Sequence, residues 1–347
     1  MRFKRITMQA IADACGLSRN TVSKVFNGRG SVPPATAELV LRKSRELGYG
    51  SPSGEAPAAQ SGGNIALLTC RLPGDFHFGT AFLSSFTDQI SRSGYSLKIY
   101  EISPEELKEK RLPPHFVPDQ IAGIVGIELF DKDYLEMICG LGIPTVLTDS
   151  PPEAVVSLMQ CDYVMMESIA GVFALVGRLA AAGAKRIGFV GDDLHCGSFR
   201  ERWTGFRFGL EDSGLRLDDR VCIRDPDTSP YGDPEWLMSR IEKMPYLPDA
   251  FVCANDFLAI RLMLALKRKG YSVPADVMVT GFDDMDQSAF TDPPLTTVHV
   301  YGTEVGLIAA DILLHRIRNR SLPYTAIRVK TTPVWRESIR PAAAGPE

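Results

Sequence analysis

The sequence predicts a small all-α head with a helix-turn-helix, followed by an α/β body of two lobes built on parallel sheets. Three observations predict it. Residues 1–50 carry nine Lys and Arg against three Asp and Glu, whereas residues 51–347 carry 29 against 39. Residues 50–63 read GSPSGEAPAAQSGG, with four Gly, three Ser, two Pro and no large apolar or basic side chain, which is a linker by composition. Beyond it, short β-like runs alternate with amphipathic helical stretches, the pattern of parallel sheets covered by helices.

In the head, Thr7 can N-cap a first helix, Gly16 supplies a tight turn, Ser18 N-caps a second helix and Asn27-Gly28 stops it. Ile11, Leu17, Val22 and Val25 are spaced to share a buried seam, closed by Val40 and Leu47 of a third helix. The outward face of the second helix is then Arg19, Asn20, Ser23 and Lys24. A rigid helix fits the DNA major groove; Arg and Lys suit guanine and Asn suits adenine. The alternative is a generic three-helix bundle with a solvated basic face.

In the body the expected strands are 65–68, 97–100, 122–127, 145–147, 163–166, 187–190, 250–253 and 277–280. The clearest helical stretches between them are 168–182, 199–211 and 257–269. Some 280 residues are large for one core, so a split into two lobes is expected. Ligands of parallel sheets sit beyond the carboxyl ends of the strands, and several ends here are polar: Arg71 to Asp75, Asp149, Asp192-Asp193, Asn255-Asp256 and Asp283-Asp284. Carboxylates and amides beside an Arg and an aromatic wall suit a polyhydroxylated ligand, whose hydroxyls both donate and accept. Each of these residues equally suits the N-cap of the following helix.

The 347 residues are 45% hydrophobic and 23% charged, a globular profile. No apolar run reaches the roughly 18 residues of a membrane span. No secretory signal follows Arg2, Lys4 and Arg5, so a cytoplasmic protein is expected. The seven Cys are scattered without a C-x-x-C pair, which argues for reduced thiols and against zinc. There is no G-x-S-x-G, H-E-x-x-H, P-loop or dinucleotide fingerprint. His195 beside Cys196 reads as a packed or solvated loop rather than a nucleophile pair. No catalytic residue, cofactor or metal is expected.

The head resembles the DNA-binding domain of the lactose/galactose repressor (LacI/GalR) family through Thr7, Ile11-Ala12, Cys15-Gly16-Leu17-Ser18, the run Thr21 to Asn27, and Leu47-Gly48-Tyr49. The body is similar to the same family at Ala184 to Gly191, Arg202 to Phe206, Ala254-Asn255-Asp256, Val273 to Asp276, Gly281 to Asp284 and Pro293 to Val298, six blocks in the family's order. The resemblance implies a ligand-controlled transcription regulator, a repressor, with a body like a periplasmic binding protein. Arg19, Asn20 and Lys24 would then read bases, and Ser18, Thr21 and Asn27 would contact phosphates, with Ser23 on the same face. Asp149, Arg202, Asn255 and Asp283 would line the effector cleft, with Asp75, Phe78, Ser198 and Tyr231 as further candidates. The implied parts are a head over 1–49, a linker over 50–63 and a body over 64–347. Within the body, lobe 1 would take about 64–161 and 299–322, and lobe 2 about 162–298 and 323–340. Crossovers would fall near 161–163, 297–301 and 322–326. The implied partners are double-stranded DNA with a pseudo-palindromic operator, a carbohydrate effector and a second copy of the chain. The tail after Arg340 has no leucine heptad, so a homodimer is expected rather than a coiled-coil tetramer.

Two departures from the family pattern stand out. The family's linker carries a Leu that wedges into the minor groove, and residues 50–63 contain no Leu, Lys or Arg, so little DNA bending is expected. Where the family has Asp-Asn before the helix after the first crossover, this chain has Glu167-Ser168.

Overall fold

The computed structural model describes residues 7–27, 32–46, 62–71, 79–152 and 159–342. The chain separates into two compact units, Met1–Ser61 and Gly62–Glu347.

Among the described residues the first unit holds three helices, α1 (Met8–Cys15), α2 (Arg19–Asn27) and α3 (Pro34–Glu46). The Thr7 hydroxyl accepts from Ala10 N at 3.3 Å and starts α1. Gly16 ends it at φ +66°, a left-handed conformation that a Cβ disfavours. Ser18 Oγ accepts from Thr21 N at 3.1 Å and starts α2. Ile11, Ala12, Val22 and Val40 form the buried centre, with Cys15, Leu17 and Val25 packed against it. Leu47 and the linker residues 50–61 lie outside the described residues.

In the second unit, lobe 1 is a six-stranded parallel sheet. Its strands are β1 (Asn64–Thr69), β2 (Ser96–Glu101), β3 (Ile121–Ile127), β4 (Thr145–Thr148), β5 (Asp162–Met166) and β10 (Ala326–Val329), in the order β10-β5-β4-β3-β1-β2. Its helices are α4 (Gly79–Arg92), α5 (Pro104–Glu109), α6 (Lys132–Gly140) and α11 (Gly302–Arg318). Strand β1 is buried on both faces. Ile65 and Leu67 meet Phe82, Phe86 and Leu313 of α4 and α11, while Ala66 and Leu68 meet Tyr134, Leu135 and Ile138 of α6.

Lobe 2 has the parallel strands β6 (Ile187–Val190), β7 (Ala250–Cys253) and β8 (Met278–Thr280) in that order, and an antiparallel ribbon of β9 (Thr297–His299) with β11 (Thr332–Val334). Its helices are α7 (Ile169–Ala181), α8 (Gly197–Asp212), α9 (Pro234–Ile241) and α10 (Asp256–Arg268). Its core joins Leu175 and Leu179 of α7, Trp203 and Phe206 of α8, Phe189 and Phe251 of the sheet, and Leu262 of α10.

All eight expected strands form. Two of the expected crossovers shift, because β5 and β10 pair with each other and with β4 in the lobe 1 sheet. The chain therefore leaves lobe 1 after Met166 and again after Val329. What holds β5 there is a buried ion pair. Arg316 of α11 donates from Nε and Nη2 to the Asp162 carboxylate at 2.7 and 2.8 Å, and Thr325 N adds a third donor at 2.8 Å.

Candidate functional site

On the head, α2 turns Ser18, Arg19, Asn20 and Lys24 outward, with Thr21 and Ser23 half-buried. Ser18 Oγ and Thr21 Oγ1 lie 2.8 Å apart at the helix N-terminus. Backbone N–H groups and hydroxyls at such a terminus suit a phosphate, and exposed Arg, Asn and Lys within the first two turns suit base edges. The side chain of Asn27 lies outside the described residues.

In the body, lobe 1 presents Asp149 directly after β4, at φ +69°. Its Oδ1 accepts from Ser150 N at 2.7 Å and Ser198 N at 2.9 Å, and its Oδ2 accepts from Ser198 Oγ at 2.6 Å. Gly197 N also donates to Ser150 O at 2.7 Å. A Cβ at Gly197 would fall 2.0 Å from Ser150 Oγ, so only glycine lets the two backbones approach this closely. The N-terminus of α8 in lobe 2 thus lies on the carboxyl end of β4 in lobe 1, with the carboxylate favoured by the helix dipole.

One turn further, Arg202 is buried. Its guanidinium lies 3.8 Å from the centroid of the Phe282 ring and 5.4 Å from that of Phe199. Nη1 donates to Ala254 O at 2.6 Å and Nη2 to Asp283 Oδ1 at 3.1 Å. Nε is buried and donates to nothing among the described residues. Asp283 stands at φ +111°, held by its N–H on Val298 O at 2.9 Å. Two of these carboxylates, Asp149 and Asp283, therefore occupy left-handed backbone. Such strain concentrates at ligand sites.

Residues 176–339 match the family model of a periplasmic binding protein-like domain. The chain is 27% identical over 342 residues to the HTH-type transcriptional repressor PurR of Haemophilus influenzae strain PittEE, covering 96% of this chain and 98% of that one. It matches the same repressor of Pasteurella multocida strain Pm70 at 27% identity, with the same coverage. Among solved structures it is similar to a transcriptional regulator CelR–cellobiose complex, with TM-score 0.69, 24% identity and coverage of 96% and 100%. It is also similar to a lac repressor dimer bound to operator and the anti-inducer ONPF, with TM-score 0.68, 22% identity and coverage of 96% and 99%. Over nearly its whole length the chain is thus similar to transcriptional repressors, and its body has the fold of their periplasmic binding protein-like domain.

In the body Asp149, Ser198, Arg202 and Asp283 come together, linked directly or through neighbouring residues of α8. Asn255 stands beside them as the cap of α10, its Oδ1 accepting from Leu258 N at 3.0 Å. Tyr231 does not join them. It is buried in the lobe 2 core, edge-on to Trp236, and its hydroxyl donates to Asp225 O at 2.8 Å. The aromatic faces near Arg202 are instead Phe282 and Phe199. Phe199 was legible as the residue three before Arg202 on one helix face. Asp75 and Phe78 lie outside the described residues.

Two sequence oddities resolve as structure. The Glu167 carboxylate accepts from Ala170 N at 3.0 and 3.1 Å, so Glu167-Ser168 is a changed cap of α7. Cys196 is buried with Sγ 3.3 Å from Ser198 Oγ, and burial pushes its thiol well above the ordinary range, which leaves no thiolate for nucleophilic chemistry. His195 sets its ring edge-on between Phe130 of lobe 1 and Phe199 of lobe 2, with centroids at 5.1 and 5.3 Å. Among the described residues no helix is long and apolar enough to cross a membrane.

Proposed function

We propose that this regulator is a cytoplasmic, homodimeric repressor that binds a pseudo-palindromic operator and is controlled by a small carbohydrate held between its lobes. The observation that carries the reading is the exposed α2 face of Arg19, Asn20 and Lys24 on a basic head, in one chain with a body whose lobes meet at Asp149 and α8. Residues 1–49 read DNA, 50–63 link, and 64–347 sense and dimerise. Most of the DNA affinity comes from neutralising phosphates, and specificity comes from the three base-reading side chains. In the cleft, the carboxylates accept effector hydroxyls, and Arg202 Nε offers a donor that no described residue uses. The relatives that match over nearly the whole length are named as repressors, and neighbours of the same fold carry cellobiose or ribose. No step of catalysis is assigned.

The test is selection of DNA from a random pool by the purified full-length protein. A pseudo-palindrome with two equivalent half-sites is expected. Enrichment of isolated half-sites would overturn the coupled dimer, and no enrichment with or without a panel of mono- and disaccharides would overturn the DNA reading. Once a sugar that alters operator affinity is in hand, Arg202→Ala and Asp283→Ala should each abolish its effect; an unchanged response in both refutes the cleft.

A further inference from the structure

Helix α8 belongs to lobe 2 by its packing, yet it is fastened to lobe 1 at two successive turns. Its first turn is held by the three bonds from Gly197 and Ser198 to Ser150 and Asp149. One turn on, and on the same side of the helix, Glu201 forms an ion pair with Arg328 of β10, the edge strand of the lobe 1 sheet. One turn further, a Cβ on Gly205 would fall 2.4 Å from Ile169 O, so α8 also lies tight against the start of α7, just past the first crossover.

The pair is buried on its Glu201 side and open to solvent on its Arg328 side. The Glu201 side chain is 15% exposed and that of Arg328 47%. Burial pushes the Glu201 carboxyl up, and the Asp149 and Glu167 charges push the same way, against Arg328. Glu201 Oε2 is buried and accepts no hydrogen bond from the described residues. A carboxylate so placed is costly without its cation, whereas an exposed pair could be lost with little effect.

We infer that the Glu201–Arg328 pair is an interlobe strap that holds α8 on lobe 1 and thereby positions Ser198 and Arg202, which α8 carries, against Asp149 and Asp283. Glu201 and Arg328 are positioning residues, and the consequence for the effector rests on the cleft reading above. Opening the cleft breaks the strap and the Asp149 contacts together. The balance between lobe arrangements, and with it the effector response, is thus set partly by two residues outside the contact set.

The amides of Gly197 and Ser198 report the strap directly, because both donate across the lobe boundary. Hydrogen–deuterium exchange of the full-length protein, resolved to single residues by fragmentation mass spectrometry, is expected to show these two amides about tenfold faster in Glu201→Gln and in Arg328→Gln. The double variant should be no faster than either single one, and Arg328→Lys, which keeps the charge, should stay slow. Amides that cap helices within one lobe, Tyr134 on Asp131 and Leu258 on Asn255, should not move. Unchanged Gly197 and Ser198 amides, a uniform rise across the chain, additive single variants, or Arg328→Lys as fast as Arg328→Gln would each overturn the strap. None of these readouts needs DNA or effector, so a failed operator selection strikes the functional reading and leaves the strap standing.

Discussion

Asp256 shows how one residue ties the start of α10 to the loop after β8. It is fully buried, and its carboxylate accepts from Met285 N at 2.9 Å, Ser288 Oγ at 2.5 Å and Thr297 Oγ1 at 2.5 Å, which fixes the loop that carries Asp283. Burial, reinforced by the nearby Asp283 charge, outweighs these donors and pushes its pKa from 3.8 up to about 7. The folded body therefore holds a proton that the unfolded chain releases. Its stabilising contribution is complete below about 3.8 and is lost as pH rises through about 7. Unfolding free energies from urea titrations at pH 4.5 to 7.5 should fall with pH by up to about 1.4 kcal/mol per unit from this group, and Asp256→Asn should remove that slope; an Asn variant with the wild-type slope would refute it. On the head, Asn20→Ala should relax base preference at one operator position at a cost of about 1–3 kcal/mol, read by repeating the DNA selection with the variant. The types of these residues were legible as polar strand ends and an outward helix face. Their division of labour was not: Asn255 and Asp256 are neighbours, yet one caps α10 and the other is sealed beneath the 281–288 loop. Only the tertiary path of that loop decides it.

At the scale of elements, seven of the eight strands read from the sequence are largely buried, where an apolar run between turn signals has little alternative, and the eighth, the edge strand β2, is exposed or half-exposed along its length. The three that escaped, β9, β10 and β11, have only three or four residues, and β10 and β11 are exposed or half-exposed along their length. Their pattern carries no period, and their pairing depends on strands far away in sequence. The lobe to which β5 belongs was equally hidden, because Tyr163–Met166 would suit either sheet; the Asp162–Arg316 pair, 154 residues apart, places it. Capping, by contrast, is local, and it makes a prediction about α10. If the first task of Asn255 is to hold Leu258 N, then Asn255→Ala should cost about 1 kcal/mol of body stability while Asn255→Asp costs little. Equilibrium unfolding checks this, and equal losses in the two variants would show that the amide itself, not an acceptor, is required.

At the scale of the molecule, charge and linker together set how the heads meet DNA. A head with six excess positive charges on a body with ten excess negative ones is drawn to the polyanion by one end only, and the body is repelled from it. On the proposed reading, two copies place their α2 helices in successive major grooves, about 34 Å apart. Kinking a duplex takes apolar wedges at a base step and basic side chains beside them, and residues 50–63 contain no Leu, Lys or Arg. The bound operator should accordingly run nearly straight. A circular-permutation gel assay on the selected operator checks this: mobility should vary little with the position of the site along the fragment. A bend of tens of degrees would show that the wedge comes from a segment outside the linker. The same absence bears on spacing, because heads joined without a wedge are held in register by dimer symmetry and half-site geometry alone. Operators with one or two base pairs inserted between half-sites should therefore lose less affinity than a rigid hinge would allow.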